Sequence, residues 1–262
     1  MRNVRKFGRI CFWPLMMCLL IVVNVPADIT KGLIGHWPLD GNGKDVSGNG
    51  YHGELTKGTK ESKGQVNGAI AFDGKGSHIK VAHGKFKPTL VDFTVAVWIK
   101  AEKVQFPWTG LIAARGNVAQ AFWMGFRNST DTLTYVWNNN NGQTWNWPKS
   151  VTIPKQTWAL VAVAIEKGRA TTYAYTASTK KLDVAINKIK HLKQSPQKFV
   201  FGKDDCCGQR FYKGLLDEVM MFERALDKSE ILQLASSGLT NVSTRNKLTT
   251  SWGKIKRVHT SD

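Results

Sequence analysis

Two adjacent acidic residues, Asp217 and Glu218, lie within an apolar stretch that continues to Phe222. The stretch has the composition of a buried strand. A carboxylate in such a strand is costly to bury unless a partner neutralises its charge. These residue types therefore point to a bound cation near Asp217, with an ion pair to a lysine as the alternative.

A second group of acidic and amide side chains occupies the glycine-rich segment 40–50. Its glycines and asparagines tolerate turn conformations in which backbone carbonyls can face inward. Calcium takes six to eight oxygen ligands from carboxylates, amides, carbonyls and water. We therefore predict a structural Ca²⁺ site with four side-chain ligands: Asp40, Asn42, Asp45 and Asp217. The alternative for the loop is a turn that aspartate side chains stabilise without metal.

Tryptophan is concentrated in the middle of the chain, where six of the ten fall within residues 108–158. Sugar rings stack on aromatic planes, and a few polar groups fix their orientation. Trp145 and Trp147 are two positions apart, so they point the same way in an extended chain. We predict a loop-borne ligand surface with five members: Trp108, Trp145, Trp147, Asn139 and Asn141.

Four other tryptophans, Trp98, Trp123, Trp137 and Trp158, lie within strand-like patterns. Trp98 and Trp158 are predicted to pack in the core. Trp123 and Trp137 fit either packing or ligand binding. The six histidines of the chain show no metal-ligand spacing, and they are predicted to be hydrogen-bonded structural residues.

Short apolar runs separated by turn residues indicate β-strands. The predicted strands are Leu33–Leu39, Ala69–Phe72, Ile79–Val81, Phe93–Lys100, Leu111–Ala114, Ala121–Phe126, Leu133–Trp137, Trp158–Glu166, Ala170–Thr176 and Phe199–Phe201. One helix is predicted from Lys228 to Ser236. Asp227 would cap its N-terminus together with Glu230, and Gly238 would end it.

The absence of helices between successive strands excludes a parallel α/β fold. The pattern predicts an all-β protein, a two-sheet antiparallel β-sandwich of the jelly-roll type with one short C-terminal helix. In a jelly roll the first and last strands are commonly neighbours. Asp40 and Asp217 are therefore expected to lie close together.

Four segments within residues 33–236 resemble, in this order, the laminin-G-like, concanavalin A-like lectin family of secreted jelly rolls. They are Gly35–Asp40 with Asp45–Gly50, Gly68–Gly74, Phe93–Lys100, and Gly214–Val219 followed by Arg224–Leu226. The resemblance implies the same sandwich and a structural calcium near the first and last strands. It is not specific for a ligand, since relatives bind either glycans or proteins.

The sequence does not contain a familiar catalytic constellation. Hydrolases with this fold carry their carboxylates close together on one strand, whereas Asp217, Glu218 and Glu223 differ in spacing and facing. No Gly-x-Ser-x-Gly or His-Glu-x-x-His motif is present. The protein is therefore predicted not to be an enzyme. A polysaccharide hydrolase or lyase with an unrecognised site is the third-ranked alternative.

The N-terminus has the layout of a secretory signal peptide, with four basic residues before an apolar run and a small-residue exit at Ala27. A membrane anchor is the alternative, but the run is shorter than the roughly 20 residues that cross a bilayer. We therefore predict a signal peptide over 1–27, a jelly-roll domain over 28–238 and a basic, Ser/Thr-rich tail over 239–262. The expected location is secreted, either extracellular or periplasmic.

Cys206 and Cys207 are the two cysteines that remain after removal of the signal peptide. Export brings them into oxidising conditions. A vicinal disulfide is predicted, with two thiols or an intermolecular bridge as alternatives.

The chain carries 37 basic and 19 acidic residues, a net charge of +18, and loss of four basic residues with the signal peptide leaves +14. Such a charge favours acidic partners, although a lysine-rich soluble surface would look the same. No arginine-rich nucleic-acid motif is present, so no nucleic-acid partner and no membrane span after signal cleavage are predicted. The predicted function is non-catalytic binding of a glycan, including an acidic one. The alternative is a protein-interaction or surface-scaffold module.

Overall fold

The computed structural model describes residues 28–81, 86, 88–116, 122–127, 131–139, 142–143, 150–204, 208 and 210–239. Within these residues the chain forms fifteen strands and one helix. The strands are β1 Leu33–Trp37, β2 Gly53–Leu55, β3 Lys60–Lys63, β4 Gly68–Asp73, β5 Ile79–Val81, β6 Phe93–Ala101, β7 Gly110–Gly116, β8 Phe122–Phe126, β9 Leu133–Asn139, β10 Gly142–Gln143, β11 Ala159–Glu166, β12 Arg169–Thr176, β13 Lys181–Asn187, β14 Pro196–Phe201 and β15 Lys213–Phe222. The helix α1 is Lys228–Ser237.

The strands form two antiparallel sheets. The first sheet has eight strands in the order β13-β12-β11-β6-β15-β4-β3, with β1 also paired to β15. The second sheet has seven strands in the order β10-β9-β8-β7-β14-β5-β2. The predicted all-β, two-sheet sandwich with one short C-terminal helix is confirmed.

The main core lies between the sheets and follows from the alternation of side chains along each strand. On β6, Phe93, Val95, Val97 and Ile99 all belong to this core, as their shared face predicts. Phe93 meets Phe122 of the second sheet edge-to-face, with ring centroids 5.3 Å apart. The apolar face of each sheet is thereby removed from water, which is the main favourable term in folding.

A second apolar layer covers the outer face of the first sheet. Ala96 and Trp98 of β6 are buried there with Ile231 and Leu234 of α1. This explains why β6 is apolar on both faces, and it confirms Trp98 as a packing residue. Trp158 packs against the same layer and is partly buried, also as predicted.

The first and last strands are hydrogen-bonded neighbours. Trp37 of β1 lies opposite Val219 of β15 in the antiparallel register. The pairing of β15 with β6 shifts between Asp217 and Met220, which marks a β-bulge. Glu218 lies in this bulge and has a φ of 49°, a conformation that non-glycine residues rarely adopt.

A capping box opens α1, as the sequence predicts. One Asp227 side-chain oxygen accepts hydrogen bonds from the backbone N–H groups of Ser229 and Glu230, and the Glu230 carboxylate accepts one from the Asp227 N–H. Hydrogen bonds from Ser229 and Glu230 lower the pKa of Asp227. Gly238 ends the helix with a φ of 60°.

Replacing Asp227 with alanine is expected to destabilise the domain by about 1 kcal/mol, because two helix N–H groups lose their acceptor. Urea unfolding of the purified protein measures this loss. Asp227→Asn is the matched control, since its amide oxygen keeps the acceptor. An equal loss in both variants would contradict the capping role.

Four strands of the structure are not predicted from the sequence: β2, β3, β10 and β13. They are the end strands of the two sheets. An edge strand is paired on one side and is less buried, so its apolar pattern is weak. Lys60–Lys63, for example, consists of polar residues that are mostly exposed.

Some predictions fall on residues outside the described part of the chain. These are the signal peptide over 1–27, nearly all of the tail over 239–262, and the Cys206–Cys207 pair. Within the described residues, no helix has the length and apolarity needed to cross a membrane.

Candidate functional site

Two carboxylates hold the turn between β3 and β4. Asp217 accepts hydrogen bonds on Oδ2 from the backbone N–H groups of Gln65 and Val66, at 2.8 and 2.9 Å. Asp40 accepts one on Oδ1 from the Gly68 N–H at 2.8 Å. A Cβ atom at Gly64 would lie 2.7 Å from Asp217 Oδ2, so glycine is needed for this approach. The predicted neighbourhood of Asp40 and Asp217 is therefore confirmed.

Asp217 is fully buried, and its Oδ1 atom has no hydrogen-bond partner among the described residues. Burial, together with the nearby carboxylates of Glu218 and Asp40, raises the pKa of Asp217 to about 7 despite the two backbone N–H groups. The expected lysine partner is not found within the described residues. A buried oxygen without a partner beside a second carboxylate is a suitable ligand for a hard cation.

Asp45 stabilises its own loop instead. Its Oδ1 accepts from the N–H groups of His36 and Ser47, and its Oδ2 accepts from that of Tyr51, at 2.9–3.1 Å. Burial opposes ionisation of Asp45, but these hydrogen bonds outweigh it and lower the pKa. Asn42 accepts from the Lys44 N–H and donates to the Asp40 carbonyl.

The four predicted calcium ligands thus divide into two pairs with different roles. Asp40 and Asp217 face a common turn, whereas Asp45 and Asn42 make the turn hydrogen bonds of the alternative interpretation. No group of three or more His, Cys, Asp or Glu residues that could hold a metal occurs in the described part of the chain. Any calcium there would take only two of the four predicted side chains and would need carbonyl oxygens or water.

Glu218 forms a hydrogen bond with His36, a residue that the sequence predicts only to be structural. His36 Nε2 lies 2.5 Å from Glu218 Oε2, and both side chains are largely buried. The pair lines a groove of about 410 Å³ between the outer face of the first sheet and the end of α1, with Trp98 and Met220. The hydrogen bond confirms a structural role for His36, but its partner lies 182 positions away.

The aromatic residues divide between the core and the outer face of the second sheet. Trp137 is fully buried in the main core. Trp123 lies on the other face, where it packs with Ala113, Val136 and Trp108. The Trp108 and Trp123 rings are 6.0 Å apart and inclined by 52°.

Trp108 is the one predicted ligand residue whose side chain the structure describes. It is partly exposed, has a φ of 61°, and rests against Trp123, which is 1% exposed. Asn139 ends β9, but its side chain lies outside the described residues, as do Asn141, Trp145 and Trp147.

The carboxylates that an enzyme would need are engaged in other contacts. Asp204, beside the cysteine pair, is buried and forms an ion pair with Arg210 at 2.7 Å. Glu218 is paired with His36, and Asp217 is bonded to a backbone turn. A glycosidase needs two carboxyl groups facing one bond, whereas each of these three carboxylates has a different hydrogen-bond or ion-pair partner.

A sequence profile of the concanavalin A-like lectin/glucanases superfamily, Laminin_G_3, matches residues 73–232. No curated protein matches the sequence.

Several solved structures have the same fold. Domain 4 of AbnA, a GH43 extracellular arabinanase from Geobacillus stearothermophilus, in complex with arabinotriose, has a TM-score of 0.55 at 18% identity, over 78% of this chain and 98% of that chain. The binding domain of botulinum neurotoxin DC, in complex with SialylT, has a TM-score of 0.58 at 14% identity, over 80% of this chain and 52% of that chain.

The binding domain of Paraclostridial Mosquitocidal Protein 1 has a TM-score of 0.59 at 16% identity, over 80% of this chain and 53% of that chain. The present chain therefore spans about half the length of each toxin binding domain. At these identities the likeness shows the fold alone.

Proposed function

Because the chain belongs to the concanavalin A-like lectin/glucanase superfamily, we propose that it is a secreted protein that binds carbohydrate without cleaving it. Two structural neighbours support the ligand class: one is an arabinanase domain in complex with arabinotriose, and another is a toxin binding domain in complex with SialylT. Fold alone does not determine function, so the proposal depends on the residues of the site.

The observation that carries the proposal is the partly exposed Trp108, backed by Trp123 on the outer face of the second sheet. A ring held rigidly against a second ring can stack on a sugar with little loss of conformational freedom. The residues predicted from the sequence as further ligand contacts are Trp145, Trp147, Asn139 and Asn141. Their rings and amides would supply further stacking and the hydrogen bonds that sugar hydroxyls need.

The excess of basic residues supports an acidic glycan as the ligand. Lysine side chains are mostly exposed along the described chain, so they can approach carboxylate or sulfate groups without burial. Binding to such a glycan would weaken as salt concentration rises, whereas stacking on a neutral sugar would not.

Calcium would have a structural role in this proposal. The unpartnered Asp217 Oδ1 and the nearby Asp40 carboxylate fit a hard cation, which would neutralise the buried charge and hold the β3–β4 turn to β15. Catalysis is not assigned to it, since Asp204, Glu218 and Asp217 each contact a structural partner.

Alanine replacement of Trp108, and of Trp145 and Trp147 together, is expected to weaken glycan binding at least about tenfold in each case, because each change removes a stacking plane. A glycan array identifies the ligand, and titration calorimetry with that glycan measures the loss. Ile186→Ala is the control, because Ile186 is 45% exposed on β13 of the other sheet.

Three results would contradict the proposal. No binding across the array would favour a protein-interaction module, and unchanged affinity in the tryptophan variants would exclude this surface. Release of sugar products from polysaccharides, lost in Asp217→Asn, Glu218→Gln or Asp204→Asn, would favour an enzyme.

A further inference from the structure

The loop between β6 and β7, residues 102–109, carries the two most exposed large apolar side chains among the described residues. Val104 is 79% exposed and Phe106 is 56% exposed. The loop lies at the end of the sandwich where β4 and β6 finish and β15 begins. Exposed apolar residues that cluster in this way mark interaction sites more often than single ones do.

The residue between them, Gln105, holds the loop in place. Gln105 is 2% exposed. Its Nε2 donates to the Lys213 carbonyl at 2.7 Å and its Oε1 accepts from the Lys213 N–H at 3.1 Å. The side chain of Gln105 is thus fixed inward, while its neighbours Val104 and Phe106 on either side are exposed.

A second contact fixes the other side of the loop. Thr109 donates to the Phe106 carbonyl from both its backbone N–H and its hydroxyl. The loop therefore presents Val104 and Phe106 by specific hydrogen bonds. Holding apolar groups in water has a cost in solvation that a partner surface would offset.

A third apolar side chain completes this surface. Phe211 lines a small cleft of about 80 Å³ with Val104 and Phe106. We call Val104, Phe106 and Phe211 the apolar tip. The Lys203 ammonium group lies 5.2 Å from the centre of the Phe211 ring.

Basic residues surround the apolar tip. Lys213 lines the same cleft, Lys103 precedes Val104, and Lys75 follows the cleft residue Gly74. All three are exposed, and Lys203 is partly exposed.

The acidic residues of this end of the sandwich do not cancel these charges. Asp204 is paired with Arg210. Asp73 accepts backbone N–H groups of its own turn on Oδ1 and keeps its negative charge, so Asp73 and Glu102 are two described carboxylates against the four lysines. Glu102 is the exposed acid of the loop. Lysines therefore outnumber acids around the tip.

From this arrangement we infer that the apolar tip docks on an anionic phospholipid surface. Val104, Phe106 and Phe211 would enter the boundary between headgroups and acyl chains, while the lysines contact phosphate and carboxylate groups. An apolar point with exposed lysines beside it matches such a surface. The inference goes beyond carbohydrate recognition, whose described residue Trp108 lies in the same loop but packs against Trp123 of the second sheet.

The test is co-sedimentation of the purified protein with vesicles of phosphatidylcholine, either pure or with roughly one-third phosphatidylserine. The wild-type protein is expected to bind the mixed vesicles, to lose binding as salt rises, and to bind pure phosphatidylcholine at least about tenfold less. The double variant Val104→Ser/Phe106→Ser is expected to bind the mixed vesicles at least about tenfold less, because it loses most of the apolar insertion. Lys75→Gln and Lys103→Gln are each expected to cost about fivefold.

Val184→Ser/Ile186→Ser is the matched control. It also removes two exposed apolar residues, 41% and 45% exposed, but they lie on β13 away from the tip. It is expected to bind vesicles like the wild-type protein. Thermal midpoints of all variants check that the fold is intact.

Three outcomes would overturn the inference: no binding to the mixed vesicles at low salt, equal binding to both vesicle types, or full binding by the tip variant. The first would favour a protein partner for the tip. The double variant Trp145→Ala/Trp147→Ala leaves the loop 102–109 unchanged, so it is expected to bind vesicles like the wild-type protein whatever its glycan affinity. Failure of the carbohydrate proposal would therefore leave vesicle binding intact, and the two ideas are tested separately.

Discussion

At about pH 8 and without calcium, the Asp217→Asn variant is expected to be more stable than the wild-type protein by roughly 3–4 kcal/mol. Burial raises the pKa of Asp217 from 3.8 to about 7, so the folded state keeps a proton that the unfolded state releases. The stabilising effect of that proton is complete below pH 3.8 and is lost as pH rises through 7. Asparagine is uncharged and retains an acceptor for the Gln65 and Val66 N–H groups.

Calcium is expected to remove most of this difference. A cation at Asp217 and Asp40 would favour the ionised carboxylate, so the wild-type protein should gain stability while Asp217→Asn and Asp40→Asn should not. At free calcium about 100-fold above the Kd the gain is about 2.7 kcal/mol, which raises the thermal midpoint of a domain this size by about 5–10 °C. Calorimetry in EDTA and then in excess calcium measures the difference.

Asp45→Asn separates a metal ligand from a structural carboxylate. Its amide nitrogen would face the Tyr51 N–H, one of three backbone donors that Asp45 now accepts. The variant should therefore be less stable than the wild-type protein both in EDTA and in excess calcium. The rise in its thermal midpoint on adding calcium should equal that of the wild-type protein. A wild-type midpoint that does not change on adding calcium would exclude the metal site. A calcium increment that survives in Asp217→Asn would place the site elsewhere.

Between pH 6.5 and about pH 4, the protein is expected to lose about 3 kcal/mol of stability through His191. Burial lowers the pKa of His191 to about 4, although backbone carbonyls that it contacts oppose the shift. The unfolded chain takes up a proton near pH 6.5 and the folded chain does not, so stability falls as pH falls through this window.

The contacts of His191 explain why it stays neutral. Nδ1 lies 3.0 Å from the Glu166 carbonyl, which can only accept, so this nitrogen carries the hydrogen. Nε2 lies 3.1 Å from the Tyr135 hydroxyl and can accept from it. Aromatic rings of Tyr135 and Trp137 pack against the imidazole. A proton on Nε2 would break this arrangement in a desolvated site.

Urea unfolding at several pH values between about 4.5 and 7 tests this expectation. The comparison should use the Asp217→Asn background, because Asp217 contributes with the opposite sign over the same window. His191→Gln, whose amide can both donate and accept, should flatten the pH dependence. An unchanged slope in that variant would show that His191 is not the group responsible.

The interior strands and the helix could be predicted because their sequence signals are local. Phe93 to Ile99 alternates at the period of a strand, and Asp227 and Glu230 have the spacing of a capping box. The edge strands lacked such a signal, since Lys60–Lys63 is mostly exposed and pairs on one side only.

The candidate sites were predictable only in part. The neighbourhood of Asp40 and Asp217 followed from the expected pairing of the first and last strands, and β1 does pair with β15. The different roles of Asp217 and Asp45 could not be predicted from the sequence. Their roles depend on which backbone N–H groups each carboxylate accepts, and the sequence does not specify these donors.

The sequence by itself determined the sandwich, the position of the helix and the residue types available for chemistry. These depend on hydrophobic periodicity and turn composition, which neighbouring residues specify. Tertiary structure alone decided that Asp217 is buried with one unpartnered oxygen, that His36 meets Glu218, and that Gln105 is fixed inward between two exposed apolar side chains. Each of these depends on contacts between residues more than 100 positions apart, which only the packing of the folded chain brings together.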